Sequence, residues 1–302
     1  MALGTRFTED PREFLQDAGH LLAADPVVGN VVAVATDRAV VEDRAGLARR
    51  DHPRWWVTIH DPDGDVVGAA MRTAPFAPHP MFVLPMPRAS VDALTEALLE
   101  RGEGVRGLNG VLPATGQMAD RLAAAYGGVA SVHEHTRLHE LGDLVMPTQP
   151  AGRLRPATRD DAPLALTYYL AFFEDAARQA GRDVPHQGAG GVDEASVRQR
   201  IDAGSVWLWE DEHGEVVHLT AFSGPAFGVA RIGPVYTPED NRGRGYASAT
   251  VAALSRWLRE RGSRVCLFTD QANPTSNKIY AALGYRPVTE MANLVITTPE
   301  PA

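Results

Sequence analysis

The segment Gly233-Pro234-Val235-Tyr236-Thr237-Pro238-Glu239-Asp240-Asn241-Arg242-Gly243-Arg244-Gly245-Tyr246-Ala247 constrains this chain more than any other. Residues 226–237 read as strand and end at Thr237. Pro238 and the polar residues after it break the strand, and Gly243 and Gly245 mark a tight turn. A helix is predicted over 245–261, with Ala247, Val251, Leu254 and Leu258 on one face at spacings of three and four. Gly262 stands just past its end, where a left-handed residue closes a helix. A strand, a glycine turn and a helix in that order form an anion site. The first N–H groups of a helix have no internal acceptor, the helix dipole puts positive potential there, and glycines let a diphosphate approach the backbone. Arg242 and Arg244 can add charge-assisted hydrogen bonds.

A second constellation follows at residues 273–285 (NPTSNKIYAALGY). Asn273 suits a helix cap, Pro274 the first helical position and Gly284 a helix end. Asn273, Ser276, Asn277 and Tyr280 are three or four apart and share one face. That face is polar and finishes on a tyrosine hydroxyl.

Arg242-Gly243-Arg244-Gly245-Tyr246-Ala247 resembles the Arg/Gln-x-x-Gly-x-Gly/Ala coenzyme A loop of the GNAT N-acetyltransferase superfamily. Asn273, then Tyr280, then Leu283-Gly284-Tyr285 resembles that family's last cofactor helix. The likeness is close over 230–286, looser over 154–224 and one of pattern alone over 1–150. It implies acetyl-CoA as co-substrate, its pyrophosphate on the loop from Arg242 to Ala247 and its pantetheine arm along Val235, Tyr236 and Thr237. It implies Tyr280 as proton donor to the departing thiolate, with Asn273 and Ser276 against the pantetheine or diphosphate. The acyl group would pass directly to a primary amine of a small molecule or peptide. A backbone N–H near Val235 or Tyr236 would stabilise the carbonyl's developing charge. No general base stands out; Glu174, Asp175, His218 and Asp270 are candidates by position. A non-catalytic acyl-CoA-binding regulatory protein is the alternative.

The rest of the chain reads as two halves with one order of elements: helices, antiparallel strands, strand–helix, strand–helix, strand. In the first half, helices are expected over 10–24 and 31–48 and strands over 54–60, 66–72 and 81–84. A helix capped by Ser90 and running to Arg101, a strand over 105–112, a helix over 117–126 and a strand over 131–141 follow. Residues 142–152 (GDLVMPTQPAG) read as a linker. In the second half come a short strand at 154–156, a helix from Thr158 to about Ala180, a loop over 183–191 and a helix over 192–203. Strands over 205–210 and 216–223 lead into the segment described first, and a strand over 264–270 precedes the last helix. The expected fold is α+β, an α/β sandwich of two tandem GNAT-like domains. Each is a mixed, mostly antiparallel sheet flanked by helices. Residues 1–150 form a degenerate domain, since Met86-Pro87-Arg88-Ala89-Ser90 stands where a coenzyme A loop should and has no glycine. Residues 151–302 form the N-acetyltransferase domain.

Composition narrows the partners. A net charge of −9 with no basic stripe argues against nucleic acid and anionic membranes. No run approaches the ~20 apolar residues of a membrane span, and the start of the chain does not read as a secretory signal. Cys266 is the only cysteine, which excludes an internal disulfide and a multi-cysteine metal site; a cytoplasmic location is the expectation. Lys278 is the only lysine beside many arginines, as in GC-rich bacterial genomes. No metal is expected: His133, His135 and His139 share a strand face with no acidic or cysteine ligand to complete a set. A first half serving dimerisation or as a substrate lid is a third reading, and it leaves a homodimer open.

Overall fold

The computed structural model describes residues 3–47, 51–179 and 192–299. The loop expected over 183–191 lies outside them. The chain divides into two compact units, one formed by Met1–Leu138 with Thr289–Ala302 and the other by His139–Val288.

The first unit contains β1 (Gly4–Thr8), α1 (Pro11–Ala24), α2 (Asn30–Arg44), β2 (Trp55–His60), β3 (Val66–Arg72), β4 (Met81–Val83), α3 (Arg88–Glu100), β5 (Gly107–Val111), α4 (Ala114–Ala125) and most of β6 (Val129–Leu141). The second contains β7 (Arg153–Pro156), α5 (Ala162–Gln179), α6 (Glu194–Asp202), β8 (Val206–Glu210), β9 (Val216–Ala226), β10 (Val229–Tyr236), α7 (Tyr246–Glu260), β11 (Arg264–Asp270), α8 (Pro274–Ala282) and the start of β12 (Tyr285–Thr297). The order of strands and helices is the same in both. In the first sheet β1, β2, β3 and β4 pair antiparallel in sequence, and β4 pairs parallel with β5. In the second, β7 to β10 pair antiparallel in sequence, and β10 pairs parallel with β11. These are mixed, mostly antiparallel sheets, as the pattern predicts.

The strand beside β5 is not the one that follows it in sequence. Met291–Val295 of β12 pairs antiparallel with Val111–Gly107, and Ala292, Leu294 and Ile296 enter the first unit's core. In the second unit Arg264 of β11 donates through Nε to Glu140 Oε1 (2.6 Å), at the end of β6. The residues read as a linker are held to the second unit: Gly142 N–H donates to Gly284 O (3.0 Å), Val145 N–H to Leu283 O (3.1 Å), and Trp209 Nε1 to Ala151 O (3.0 Å). Contacts therefore change hands at 138/139 and at 288/289 rather than near 150. Local composition does not reveal this, because a strand's partner is chosen by tertiary pairing. Two smaller differences have local causes. β1 forms because Gly4–Thr8 finds the edge of β2. α3 begins at Arg88 after Pro87, with Ser90 buried in its first turn.

Period-two alternation gives the second sheet two apolar faces. Val206, Leu208, Leu219 and Ala221 pack under α5 and α6 with Tyr169, Val197 and Ile201. Phe222, Ala230, Ile232, Val265 and Leu267 pack under α7 and α8 with Val251, Leu254, Leu258, Tyr280 and Leu283. The buried leucines of α7 contribute roughly 2 kcal/mol apiece. Cys266 is buried within β11, and burial raises its thiol to about 12, which marks it as core.

Gly284 turns α8 into β12 at φ +98°, and a Cβ there would lie 1.9 Å from Asp143 O. Gly284→Ala is expected to destabilise the protein by roughly 2–4 kcal/mol, measured by urea unfolding.

Candidate functional site: a strand fork opening on a glycine turn

β10 and β11 run side by side from Val229–Arg264 to Ile232–Leu267, and there their pairing stops. β10 continues to Tyr236 and β11 to Asp270. Beyond Ile232, β10 stays joined to β9 on its other side: Val235 faces Thr220 and Tyr236 faces Leu219 after a one-residue bulge. The edge of Val235 and Tyr236 toward β11 is thus open, and extended backbone with a free edge can pair with an extended ligand. In the first unit β4 and β5 stay paired to the last residue of β4, Val83 opposite Gly110. A Cβ on Gly110 would come within 2.2 Å of Val83 O, so those strands remain closed. Met86 packs on Gly68 just before α3.

The turn after β10 leads directly to α7. A 3₁₀ turn at Glu239–Asn241 precedes it, and Arg242 N–H donates to Glu239 O (3.1 Å). Gly243 and Gly245 take φ of +75° and +86°, and Gly245 caps α7. A Cβ at either would meet nothing within 4 Å, so the turn is not plugged. The helix ladder opens with Ala249 N–H on Gly245 O (3.0 Å), which leaves Tyr246, Ala247 and Ser248 N–H without intrahelical acceptors. The residues present therefore fit a diphosphate. Beside these N–H groups, Arg244 Nη2 donates to Asp240 O (3.1 Å) and the Tyr246 ring is buried against Trp209.

Arg242 turns toward α5. Its Nε donates to Thr237 O (3.0 Å), and its Nη2 pairs with Asp175, which also holds Arg178. Thr237 Oγ1 lies 2.7 Å from His218 Nδ1, and His218 Nε2 lies 2.6 Å from Thr220 Oγ1. Tyr236 packs on Tyr168 of α5, centroids 5.3 Å apart. Burial, then the Asp175 carboxylate, raises the Tyr236 hydroxyl above its usual range.

α8 is fastened where β11 ends. Asn273 caps it, its Oδ1 accepting Ser276 N–H (3.1 Å). Asn277 accepts from Thr269 Oγ1 (2.7 Å) and donates to Asp270 O (3.1 Å) and Asn273 O (2.8 Å). Tyr280 is buried in the core under α7 and α8, its ring 6.0 Å from that of Tyr285, and Val235 packs against the same cluster. The Tyr285 hydroxyl is engaged by Ser255 (2.7 Å). The Tyr280 hydroxyl bonds to no described residue, and it is not among the sealed polar atoms. Burial raises its proton affinity well above that of a free phenol.

The four positional candidates for a base differ in surroundings. Asp175 is ion-paired, Asp270 Oδ1 accepts Ala272 N–H (2.8 Å), and Glu174 is exposed. His218 is fully buried, and burial lowers its imidazole from 6.5 to about 3. Among the described residues no three His, Cys, Asp or Glu side chains are grouped to hold a metal. No helix among them is long and apolar enough to cross a membrane. Sequence reasoning missed the Arg242–Asp175 and His218–Thr237 contacts. Only the spacing of His218 and Thr220, which puts both on one strand face, hinted at the second.

Comparison with known proteins bears on the fold. Residues 225–293 match the model of a family described as FR47-like protein. No curated protein matches the chain significantly. Among solved structures it is similar to a GCN5-related N-acetyltransferase from Sphaerobacter thermophilus, with TM-score 0.57, 18% identity and coverage of 97% of this chain and 94% of that one. It is similar to a GNAT-family acetyltransferase from Colwellia psychrerythraea, with TM-score 0.56, 12% identity and coverage of 99% and 100%. It is also similar to a tandem GNAT protein from the clavulanic acid biosynthesis pathway, with TM-score 0.57, 18% identity and coverage of 99% and 100%. At these identities the likeness is one of fold: the chain carries two GNAT folds in tandem, and the FR47-like match falls mainly on the second.

An unfolded imidazole takes its proton near 6.5, but His218 in the folded protein takes it near 3. Between those values the unfolded chain binds the extra proton. The contribution of His218 to stability is therefore complete above pH 6.5 and is lost as pH falls toward 3. Its ring resonances in NMR are expected to remain those of neutral imidazole down to about pH 4; a transition near pH 6 would mean that the ring is not sealed.

Proposed function

We propose that the second unit is an acyl-CoA-dependent N-acyltransferase that moves an acetyl group to a primary amine of a small molecule or peptide. The observation that carries this reading is the fork between β10 and β11, which opens beside an unplugged glycine turn. Acetyl-CoA supplies an activated acyl group.

Each residue has a part that follows from its setting. The open edge of Val235, Tyr236 and Thr237 offers backbone groups to the pantetheine arm. Gly243, Arg244, Gly245, Tyr246 and Ala247 offer N–H groups and the helix dipole to the diphosphate. The Arg242 side chain braces the turn. Asn273 and Ser276, at the start of α8, are assigned to the pantetheine or diphosphate of the same ligand. The amine attacks as a free base, the C–N bond forms and the C–S bond breaks. A backbone N–H near Val235 or Tyr236 stabilises the carbonyl oxygen as it gains charge. Tyr280 holds its proton through the neutral range and meets the departing sulfur as a hydrogen-bond donor. The proton lost by the amine balances the one gained by the thiolate. α5 carries Tyr168, Glu174 and Asp175 toward the end of β10, on the acceptor side.

The first unit is read as a GNAT-like partner without the cofactor turn, because its parallel strands stay closed and Pro87 leads its α3.

The test combines acetyl-CoA, an amine library and a free-thiol assay. Tyr280→Phe is expected to lower kcat by roughly 100-fold or more, with coenzyme A binding little changed in calorimetry. Gly245→Val is expected to abolish that binding. Thiol release no greater from the wild type than from Tyr280→Phe would defeat the catalytic reading, and binding without transfer to any amine would favour a regulatory acyl-CoA-binding protein.

A further inference from the structure

Thr237 stands between the strand edge and the glycine turn, and it is held on two sides. Its hydroxyl meets His218 Nδ1 at 2.7 Å. Its carbonyl accepts from Arg242 Nε at 3.0 Å, and Arg242 is tied in turn to Asp175 on α5. The second bond closes residues 237–242 into a ring. The first ties that ring to β9, because His218 is anchored through Nε2 to Thr220 (2.6 Å).

A polar trio at this place needs a reason. His218 and Thr220 are both fully buried, on the strand face that also carries Phe222 and packs under α7 and α8. Apolar side chains would fill such a face at no desolvation cost, and a buried polar trio gains little net stability. Satisfied at both ring nitrogens, however, it fixes direction. Neutral imidazole has one donor and one acceptor, and each threonine hydroxyl can supply the complement. The only freedom left in the row is the position of Thr237.

We propose that His218 is a positioning residue for the cofactor: by holding the Thr237 hydroxyl it sets the angle between the strand edge that takes the pantetheine arm and the turn that takes the diphosphate. The inference rests on the acyltransferase reading of this unit. A pre-set turn binds more tightly because less ordering remains to be done on binding. Loosening it weakens cofactor binding and raises the KM for acetyl-CoA. His218→Gln is expected to leave the KM for the amine and the kcat at saturating acetyl-CoA nearly unchanged.

Two substitutions separate this from a merely structural role. An asparagine amide falls near the Nδ1 position of a histidine, and a glutamine amide near Nε2. His218→Asn keeps a partner for Thr237, whereas His218→Gln keeps one only for Thr220. Calorimetry with coenzyme A is expected to show about tenfold weaker binding for His218→Gln and no more than about threefold for His218→Asn. Thr237→Val should match His218→Gln, Thr237→Ser should restore binding, and the double variant His218→Gln/Thr237→Val should be no worse than either single one. Equal losses in the two His218 variants, or additive losses in the double one, would overturn the proposal. If a His218 variant fails to fold, as judged by its thermal unfolding, the Thr237→Val and Thr237→Ser pair decides alone. Valine binding as tightly as serine refutes the clamp. Failure of the wild type to bind coenzyme A at all would instead refute the functional reading beneath it.

Discussion

The structure of the second unit turns on the parting of two parallel strands. Backbone N–H and C=O groups are obligatory hydrogen-bonding groups, and an unpaired row of them is rarely left inside a fold. β10 and β11 pair for four residues and then diverge, so one side of Val235 and Tyr236 is offered outward. The β-bulge in β10 belongs to the same event, because it lets the strand keep β9 while it leaves β11. The turn, α7 and α8 are arranged around the fork. α7 starts from the end of the diverging β10, and α8 is stapled by Asn277 to the end of the diverging β11.

The two units show what happens to the same plan when that divergence is absent. Each has its parallel pair in the same place in the element order. In the first, the close approach of Gly110 to Val83 keeps the strands together, and Pro87 and Met86 replace the glycine turn. Without a fork there is no free edge for an extended ligand. Without positive-φ glycines the backbone cannot fold its N–H groups around an anion. The apolar core survives unchanged in kind, because packing asks only for alternating apolar residues.

Around the turn, arginine chemistry differs from what charge alone suggests. Arg242 and Arg244 are both directed to oxygens of their own unit. In the structure these contacts hold the loop's shape.

Local physics made much of this legible from the sequence. Glycines at positive φ, the proline and asparagine at the start of α8, and apolar spacing of three and four along α7 are properties of neighbouring residues. They identified the turn, its helix and the face of α8 that carries Tyr280. Alternation identified most strands and the repeated order of the two halves. Tertiary structure alone decided which strands meet, so that residues 289–297 complete the first unit and residues 142–151 are fastened to the second. It alone decided that Arg242 reaches a carboxylate 67 residues away, and that His218 meets Thr237 across 19 residues of chain. The reason is physical: caps, turns and helical faces are written in contacts a few residues apart, whereas strand partners and buried polar contacts are fixed only when distant segments have packed and each polar group must find the acceptor or donor left nearest to it.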